Sequence, residues 1–144
     1  MNISIINGPN LNLLVVREPD IYGSESFDNI LEQLKQSHPG IKFSYFQSNI
    51  EGELIDEIQK QGFQCDGIIL NAGGYTHTSV AIADAVAAIN SPVIEVHLSN
   101  IFAREPVRAN SLISEKCLGI ITGLGSDVYS LAVNYFVKNI KVED

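Results

Sequence analysis

The sequence has few cysteines, no tryptophan and no long apolar run, and each scarcity excludes a class of protein. Its two cysteines, Cys65 and Cys117, form no C-x-x-C pair, and neither they nor the three histidines show metal-ligand spacing. We therefore expect free, buried thiols and no metal. No apolar run approaches the roughly 20 residues that span a bilayer, which argues against a membrane protein. No basic segment precedes the first apolar stretch, so we expect no secretory signal and a cytoplasmic location.

Basic residues are scarce too. The chain carries 9 Lys and Arg residues against 17 Asp and Glu residues, for a net charge of −8. A protein that binds a phosphate backbone needs a basic face, so no nucleic-acid partner is expected. The only arginines, Arg17, Arg104 and Arg108, nevertheless all fall in loop-like stretches. This placement predicts a local anion site on an acidic protein.

Motifs for nucleophiles and for nucleotide cofactors are also missing. No G-x-S-x-G sequence occurs. The pair Gly123 and Gly125 lacks the third glycine of a dinucleotide fingerprint and follows the last strand, so it is interpreted as a strand-to-helix turn. A flavin or receiver-type domain lacks support, because no acidic pocket or phosphate loop follows the first strand and there is no tryptophan to stack on a flavin. Proton transfer without a cofactor is the chemistry that remains.

The chain does have a regular alternation of short β-branched segments and longer amphipathic ones. This rhythm is typical of βαβ units, and 144 residues suit one domain, 1–144. Predicted strands cover 3–7, 41–46, 67–71, 92–99 and 118–122; predicted helices cover 26–38, 52–61, 79–89 and 126–138, with Ser26 and Thr78 as N-caps of the first and third. We therefore predict a flavodoxin-like, doubly wound, five-stranded parallel sheet in a three-layer α/β/α arrangement. Such folds bind ligands beyond the carboxyl ends of their strands.

The fourth predicted strand places a carboxylate beside an imidazole. Side chains alternate along a strand, so Glu95, His97 and Ser99 share one face while Ile94, Val96 and Leu98 share the other. A buried carboxylate is costly without a partner, and His97 is within reach of Glu95. The pair could be purely structural. A carboxylate also fixes a histidine tautomer and stabilises imidazolium, which prepares a general acid.

Two loops bring further polar residues to the same edge. The loop after the first strand holds Asn10, Arg17 and Tyr22. A tyrosine alone is most often a surface or core aromatic, but a nearby arginine would favour the phenolate and make Tyr22 a plausible base. The loop after the third strand joins Gly73-Gly74 to His77 at a helix start, where backbone and dipole suit an anion. Gly-Gly alone is a weak signal, and His77 could equally be a turn or capping residue.

Three segments together, NGPNLNLL…REPDIYG, ILNAGGYTHTSVAIADA and IEVHLSNIFAREPVR, closely resemble the type II 3-dehydroquinate dehydratases. The resemblance covers nearly the whole chain. It implies a flavodoxin-like subunit that assembles as trimers into a dodecamer. It also implies conversion of 3-dehydroquinate to 3-dehydroshikimate without a cofactor, a reaction of the shikimate pathway. Quinate breakdown uses the same reaction, so the pathway stays open.

The resemblance also assigns roles to residues. It implies that Tyr22 removes a proton beside the ketone, with Arg17 favouring the tyrosinate, and that His97, oriented by Glu95, protonates the departing hydroxyl. Asn10 would hold a water against the enolate. The remaining matched residues would bind substrate: Asn71, His77 and Arg108 as contacts, Leu98 and Ser99 as a carboxylate-binding pair, and Asp84 as a residue that reaches a neighbouring subunit's site.

The sequence departs from the family pattern at three places. Val15-Val16 stands where glycine and a polar residue are usual, Val107 where phenylalanine is common, and Ala109-Asn110 where a histidine-bearing pair is common. If the backbone at Val15-Val16 needs a positive φ, a β-branched residue would be strained by about 1–3 kcal/mol. Since Arg108 is kept, we expect altered kinetics and intact chemistry. The alternative function is a non-catalytic anion-binding module on the same scaffold.

Overall fold

A computed structural model describes residues 1–16 and 26–141, together with the backbone of Arg17. Five parallel strands form one sheet in the order β2-β1-β3-β4-β5. They are β1 (Asn2–Asn7), β2 (Lys42–Gln47), β3 (Gly67–Asn71), β4 (Val93–His97) and β5 (Gly119–Thr122). This is the strand order of flavodoxin-like folds, so the predicted fold class is confirmed.

Three longer helices connect the first four strands, and a fourth follows β5. They are α1 (Phe27–Ser37), α2 (Glu51–Gln61), α3 (Val80–Ala88) and α4 (Asp127–Asn139). Ser26 occupies the N-cap position of α1 as predicted. The prediction of Thr78 as the cap of α3 is wrong. The Thr78 N–H donates to the Tyr75 carbonyl in the preceding turn, whereas the Ser79 hydroxyl accepts from the Ile82 N–H at 2.9 Å and caps the helix.

Two apolar cores cover the two faces of the sheet. On one face α1 and α4 pack on Ile3, Ile5, Ile69, Ile94 and Val96. On the other face α2 and α3 pack on Ile6, Ile68, Leu70 and Val93. The alternation of side chains along the strands divides the two sets, and the predicted three layers follow from it.

The carboxyl ends of β1, β3 and β4 meet at one edge of the sheet. The strand register pairs Asn7 with Asn71 there, and His97 with Thr122 of β5. Gly123 and Gly125 adopt φ of 90° and 59°, and their N–H groups donate to the carbonyls of His97 and Leu98. The predicted strand-to-helix turn is therefore confirmed, and it anchors the end of β4.

The segment between β4 and β5 is irregular, as predicted. It contains three short 3-10 turns, at Ile101–Ala103, Pro106–Ala109 and Ser114–Lys116. Both cysteines are free thiols, but each is half-buried where full burial was expected. Among the described residues, no helix combines the length and the hydrophobicity that a membrane span requires.

Candidate active site

A cleft of about 130 Å³ opens at the carboxyl ends of β1, β3 and β4. The predicted site residues that line it are Asn10, Asn71, His77, His97, Leu98, Ser99 and Arg108. Glu95 lies behind His97. Tyr22 and the side chain of Arg17 lie outside the described residues. Asp84 is exposed on α3 and does not line this cleft, so its predicted role stays a prediction.

Glu95 and His97 form the buried pair that the strand alternation predicts. Glu95 is 0% exposed and His97 is 5% exposed, and Glu95 Oε1 lies 2.5 Å from His97 Nε2. An ionised carboxylate only accepts hydrogen bonds, so His97 Nε2 carries a proton. Nδ1 is then the ring nitrogen left for a ligand in the cleft. A carboxylate in this position would stabilise imidazolium, the form in which a histidine can act as a general acid.

Ser111 is a third residue in contact with this pair, and the sequence did not predict it. Its hydroxyl lies 2.9 Å from Glu95 Oε1 and 3.0 Å from Oε2. Ser111 sits in the irregular segment between β4 and β5, where no periodicity predicts which way a side chain points. The one sequence feature that could have pointed to Ser111 as a site residue is its position three residues after Arg108.

His77 faces His97 across the cleft wall. It ends the turn Gly73–His77, and its Nδ1 donates to the Asn110 carbonyl oxygen at 2.8 Å, which leaves Nε2 as the free ring nitrogen. His77 is therefore a turn residue, as one interpretation of the sequence had it, and it also lines the cleft, while its role in binding stays a prediction. Asn110 acts here through its backbone, so the departure from the family pattern at Ala109-Asn110 leaves this contact in place.

Asn10 follows β1 at the rim of the cleft. Its φ of 68° is left-handed, a region that asparagine tolerates better than most residues. Its N–H donates to Asn49 Oδ1 at 2.9 Å, and Gln47 Nε2 donates to the same oxygen at 3.1 Å. Tyr75 donates to the Asn49 carbonyl at 3.0 Å. The residues after β2 thus fix the backbone that carries Asn10.

A buried hydrogen-bond chain supports Asn71 from below. The Tyr129 hydroxyl donates to Asn7 Oδ1 at 2.7 Å and accepts from Asn71 Nδ2 at 3.3 Å. Asn71 Oδ1 in turn accepts from the Gly73 N–H at 3.2 Å. Burial raises the pKa of Tyr129 well above its usual value, so its hydroxyl keeps its proton and remains a donor. The Asn71 amide is therefore held in one orientation.

Arg104 and Arg108 line the cleft. Arg104 Nη1 donates to Ser99 Oγ at 3.3 Å, and Arg108 Nε donates to Glu105 Oε2 at 2.8 Å. Hydrogen bonds from its own backbone and from Arg108 lower the pKa of Glu105. Arg104, which is not among the residues predicted to bind substrate, lies beside Ser99 and brings a second positive charge to the cleft.

Val15 and Val16 lie in the short helical turn Leu14–Arg17. Among the described residues, Asn10 is the one non-glycine residue with a positive φ. The strain anticipated for these valines is therefore not present. Val16 and Val107 are 75% and 67% exposed, so these two departures from the family pattern place apolar side chains at the surface.

Comparison with known proteins agrees with this geometry. The family model "Dehydroquinase class II" matches residues 1–137. A 3-dehydroquinate dehydratase of Fusobacterium nucleatum is 50% identical over 143 residues, covering 96% of this chain and 97% of that protein. One from Nitratiruptor sp. is 50% identical over 135 residues, covering 92% and 86% respectively. The crystal structure of a type II dehydroquinase from Butyrivibrio crossotus superimposes with a TM-score of 0.90 at 41% identity, covering 95% of this chain and 97% of that chain. The chain therefore belongs to the class II dehydroquinase family.

Proposed function

We propose that this chain is a cofactor-free hydro-lyase that converts 3-dehydroquinate to 3-dehydroshikimate. The observation that carries the proposal is the Glu95–His97 pair at the wall of a cleft that also holds two arginines. Elimination of water from a hydroxy ketone needs a group that protonates the leaving hydroxyl, and a substrate carboxylate needs a cation. The cleft offers both.

In the proposed reaction Tyr22 and His97 divide the proton transfers. The Tyr22 phenolate takes a proton from the carbon beside the ketone, and the electrons of that C–H bond form an enolate. Arg17 favours the phenolate and stabilises the developing charge. The enolate then re-forms the ketone and expels the hydroxyl, which leaves as water with the Nδ1 proton of His97 in its imidazolium form, where both ring nitrogens carry a proton. Asn10 holds a water against the enolate oxygen, where a hydrogen bond strengthens as charge develops.

The remaining site residues are proposed to bind the substrate. Asn71 and His77 contact its hydroxyl groups, Arg108 adds a charged contact, and Leu98 with Ser99 receives its carboxylate. Arg104 beside Ser99 supports the carboxylate end of this arrangement. The whole chain, 1–144, would then be one catalytic domain.

The proposed assembly is a cytoplasmic dodecamer of trimers in which Asp84 reaches the site of a neighbouring subunit. Its support is the exposure of Asp84 on α3, away from the cleft of its own chain. Sedimentation velocity distinguishes a trimer from a dodecamer. A monomer with full activity would contradict the proposed role of Asp84.

The test of the activity is direct. Purified protein with 3-dehydroquinate should generate the enone absorbance of 3-dehydroshikimate, and treatment with a chelator or with borohydride should not reduce the rate. Borohydride would trap a Schiff base on a lysine, and the proposed route forms none. Tight binding of substrate without product, in a folded and assembled protein, would favour the anion-binding module instead.

A further inference from the structure

The hydroxyl of Ser111 has each of its hydrogen-bonding positions used. It accepts from the N–H groups of Ile113 at 3.3 Å and Ser114 at 3.1 Å. A hydroxyl has two lone pairs and one proton. Because both lone pairs face backbone donors, the proton can only be directed at Glu95, whose two oxygens lie 2.9 and 3.0 Å away.

This arrangement makes Ser111 a donor to Glu95 and leaves it no lone pair with which to accept a proton from Glu95. The fully buried carboxylate must then accept from Ser111 on one side and from His97 Nε2 on the other. The backbone N–H groups at the start of the turn Ser114–Lys116 thus direct the Ser111 proton to Glu95. The Glu95 carboxylate in turn accepts from the His97 imidazole. The ring nitrogen that faces Glu95 is fixed as the protonated one.

We propose that Ser111 is a positioning residue that sets the tautomer and orientation of His97 through Glu95. The proposal rests on the proposed function only for its kinetic consequence, since the hydrogen-bond chain exists without substrate. Without the Ser111 hydroxyl, the Glu95 carboxylate can rotate away, and neutral His97 is no longer restricted to the tautomer with its proton on Nε2. The chemical step suffers because the acid is misplaced, while substrate binding is retained.

The experiment compares Ser111→Ala with Ser111→Thr, which restores the hydroxyl, and with Ser111→Val, which has the shape of threonine without it. The matched control is Ser91→Ala. Ser91 is also buried, and its hydroxyl donates to the carbonyls of Gly62 and Cys65 at the opposite end of the sheet. Circular dichroism and thermal unfolding establish that each variant folds. Two readouts follow: kcat and KM, and the ring ¹⁵N chemical shifts of His97 in ligand-free protein.

We expect Ser111→Ala and Ser111→Val to lower kcat by about tenfold or more, with KM within about twofold of the parent. Their ¹⁵N shifts should report mixed tautomers, whereas the parent, Ser111→Thr and Ser91→Ala show a proton on Nε2. An unchanged tautomer in Ser111→Ala, or a kcat that Ser111→Thr does not restore relative to Ser111→Val, would overturn the proposal. If the parent protein does not dehydrate 3-dehydroquinate, the proposed function fails, and the ¹⁵N comparison still decides the role of Ser111.

Discussion

The imidazole rings of His77 and His97 lie nearly parallel, with 6.4 Å between their centroids and 21° between their planes. In each ring one nitrogen is hydrogen-bonded to the protein, Nδ1 in His77 and Nε2 in His97, and the partners differ. A neutral carbonyl, that of Asn110, holds His77, whereas the Glu95 carboxylate holds His97. A carboxylate stabilises imidazolium far better than a carbonyl does, so the two rings are suited to different tasks. His97 is suited to donate a proton and His77 to bind.

Substituting each histidine separately tests this division. We expect His97→Gln to lower kcat by at least about 100-fold with a small change in KM, because the loss is that of a general acid. His77→Gln should act mainly on KM. Steady-state rates of enone formation measure both. His38→Gln is the control, since His38 contacts Leu34 and Asn134 away from the cleft. A larger kcat effect for His77 than for His97 would reverse the assignment.

The Glu95→Gln substitution tests whether the carboxylate is needed as an acceptor. The amide has the same shape, but its NH₂ group can face His97 and favour the other tautomer. We expect a fall in kcat of about 100-fold or more, by analogy with an aspartate-to-asparagine change behind a catalytic histidine. Glu53→Gln is a matched control. Glu53 lies on α2 outside the site, and its carboxylate also accepts a hydrogen bond from a serine, Ser48. Near-normal turnover in Glu95→Gln would make the pair structural only.

Tyr22→Phe tests the proposed base, which lies outside the described residues. Removing the phenol oxygen leaves no base for the proton beside the ketone, so kcat should fall by at least about 100-fold. Exchange of that proton with deuterated solvent, followed by NMR, should be lost as well, because it requires the same step. Tyr135→Phe on the exposed side of α4 is the control. Retained exchange in Tyr22→Phe would assign the base to another group.

The parts of the site that the sequence predicts are those attached to regular structure. Strand alternation alone places Glu95 beside His97, and a hydrophobic third strand ending in Asn71 places that amide at the sheet edge. Ser111 and the Asn110 carbonyl could not be predicted, because an irregular segment has no period from which a side-chain direction follows. Asn7 and Tyr129 lie far apart in sequence, and only the packed register of β1, β3 and α4 brings them together.

The N-cap of α3 is a second feature that could not be predicted from the sequence alone. Thr78 and Ser79 are both good N-cap residues, and composition does not choose between them. The choice depends on where the preceding turn Gly73–His77 ends, and that turn is positioned by the contact between Leu112 N–H and the Thr76 carbonyl. A contact between segments distant in the chain therefore decides a local boundary.

The half-buried thiol of Cys117 should make the stability of the protein depend on pH. Burial, with a further contribution from the Glu95 charge, raises its pKa from 9.0 to about 12. The folded state holds this proton more tightly than the unfolded state, so the associated stability is complete below pH 9 and is lost as the pH rises towards 12. In Cys65→Ser, which leaves Cys117 as the single thiol, Ellman's reagent at pH 8 should react slowly in native protein and rapidly in urea. Equally fast reaction in both states would contradict the burial of this thiol.

The backbone that follows β1 closely approaches the backbone at the end of β3 beneath the cleft. The Gly8 N–H donates to the Asn71 carbonyl at 2.7 Å, and a Cβ at Gly8 would lie 2.5 Å from the Ala72 carbonyl oxygen. The clash would be with the Ala72 backbone, which cannot move aside as a flexible side chain can. Gly8→Ala should therefore lower the free energy of unfolding by about 1–3 kcal/mol or more.

Gly52→Ala is the matched control for this substitution. A Cβ at Gly52 would meet nothing within 4 Å, and this residue lies in helix α2. Alanine there should be neutral or stabilising by up to about 1 kcal/mol. Urea denaturation measures both variants. Since Gly8 adjoins Asn10 and Asn71, Gly8→Ala should also raise KM. Equal free energies of unfolding for Gly8→Ala and Gly52→Ala would contradict the predicted clash, because the backbone at Gly8 would then adjust without cost.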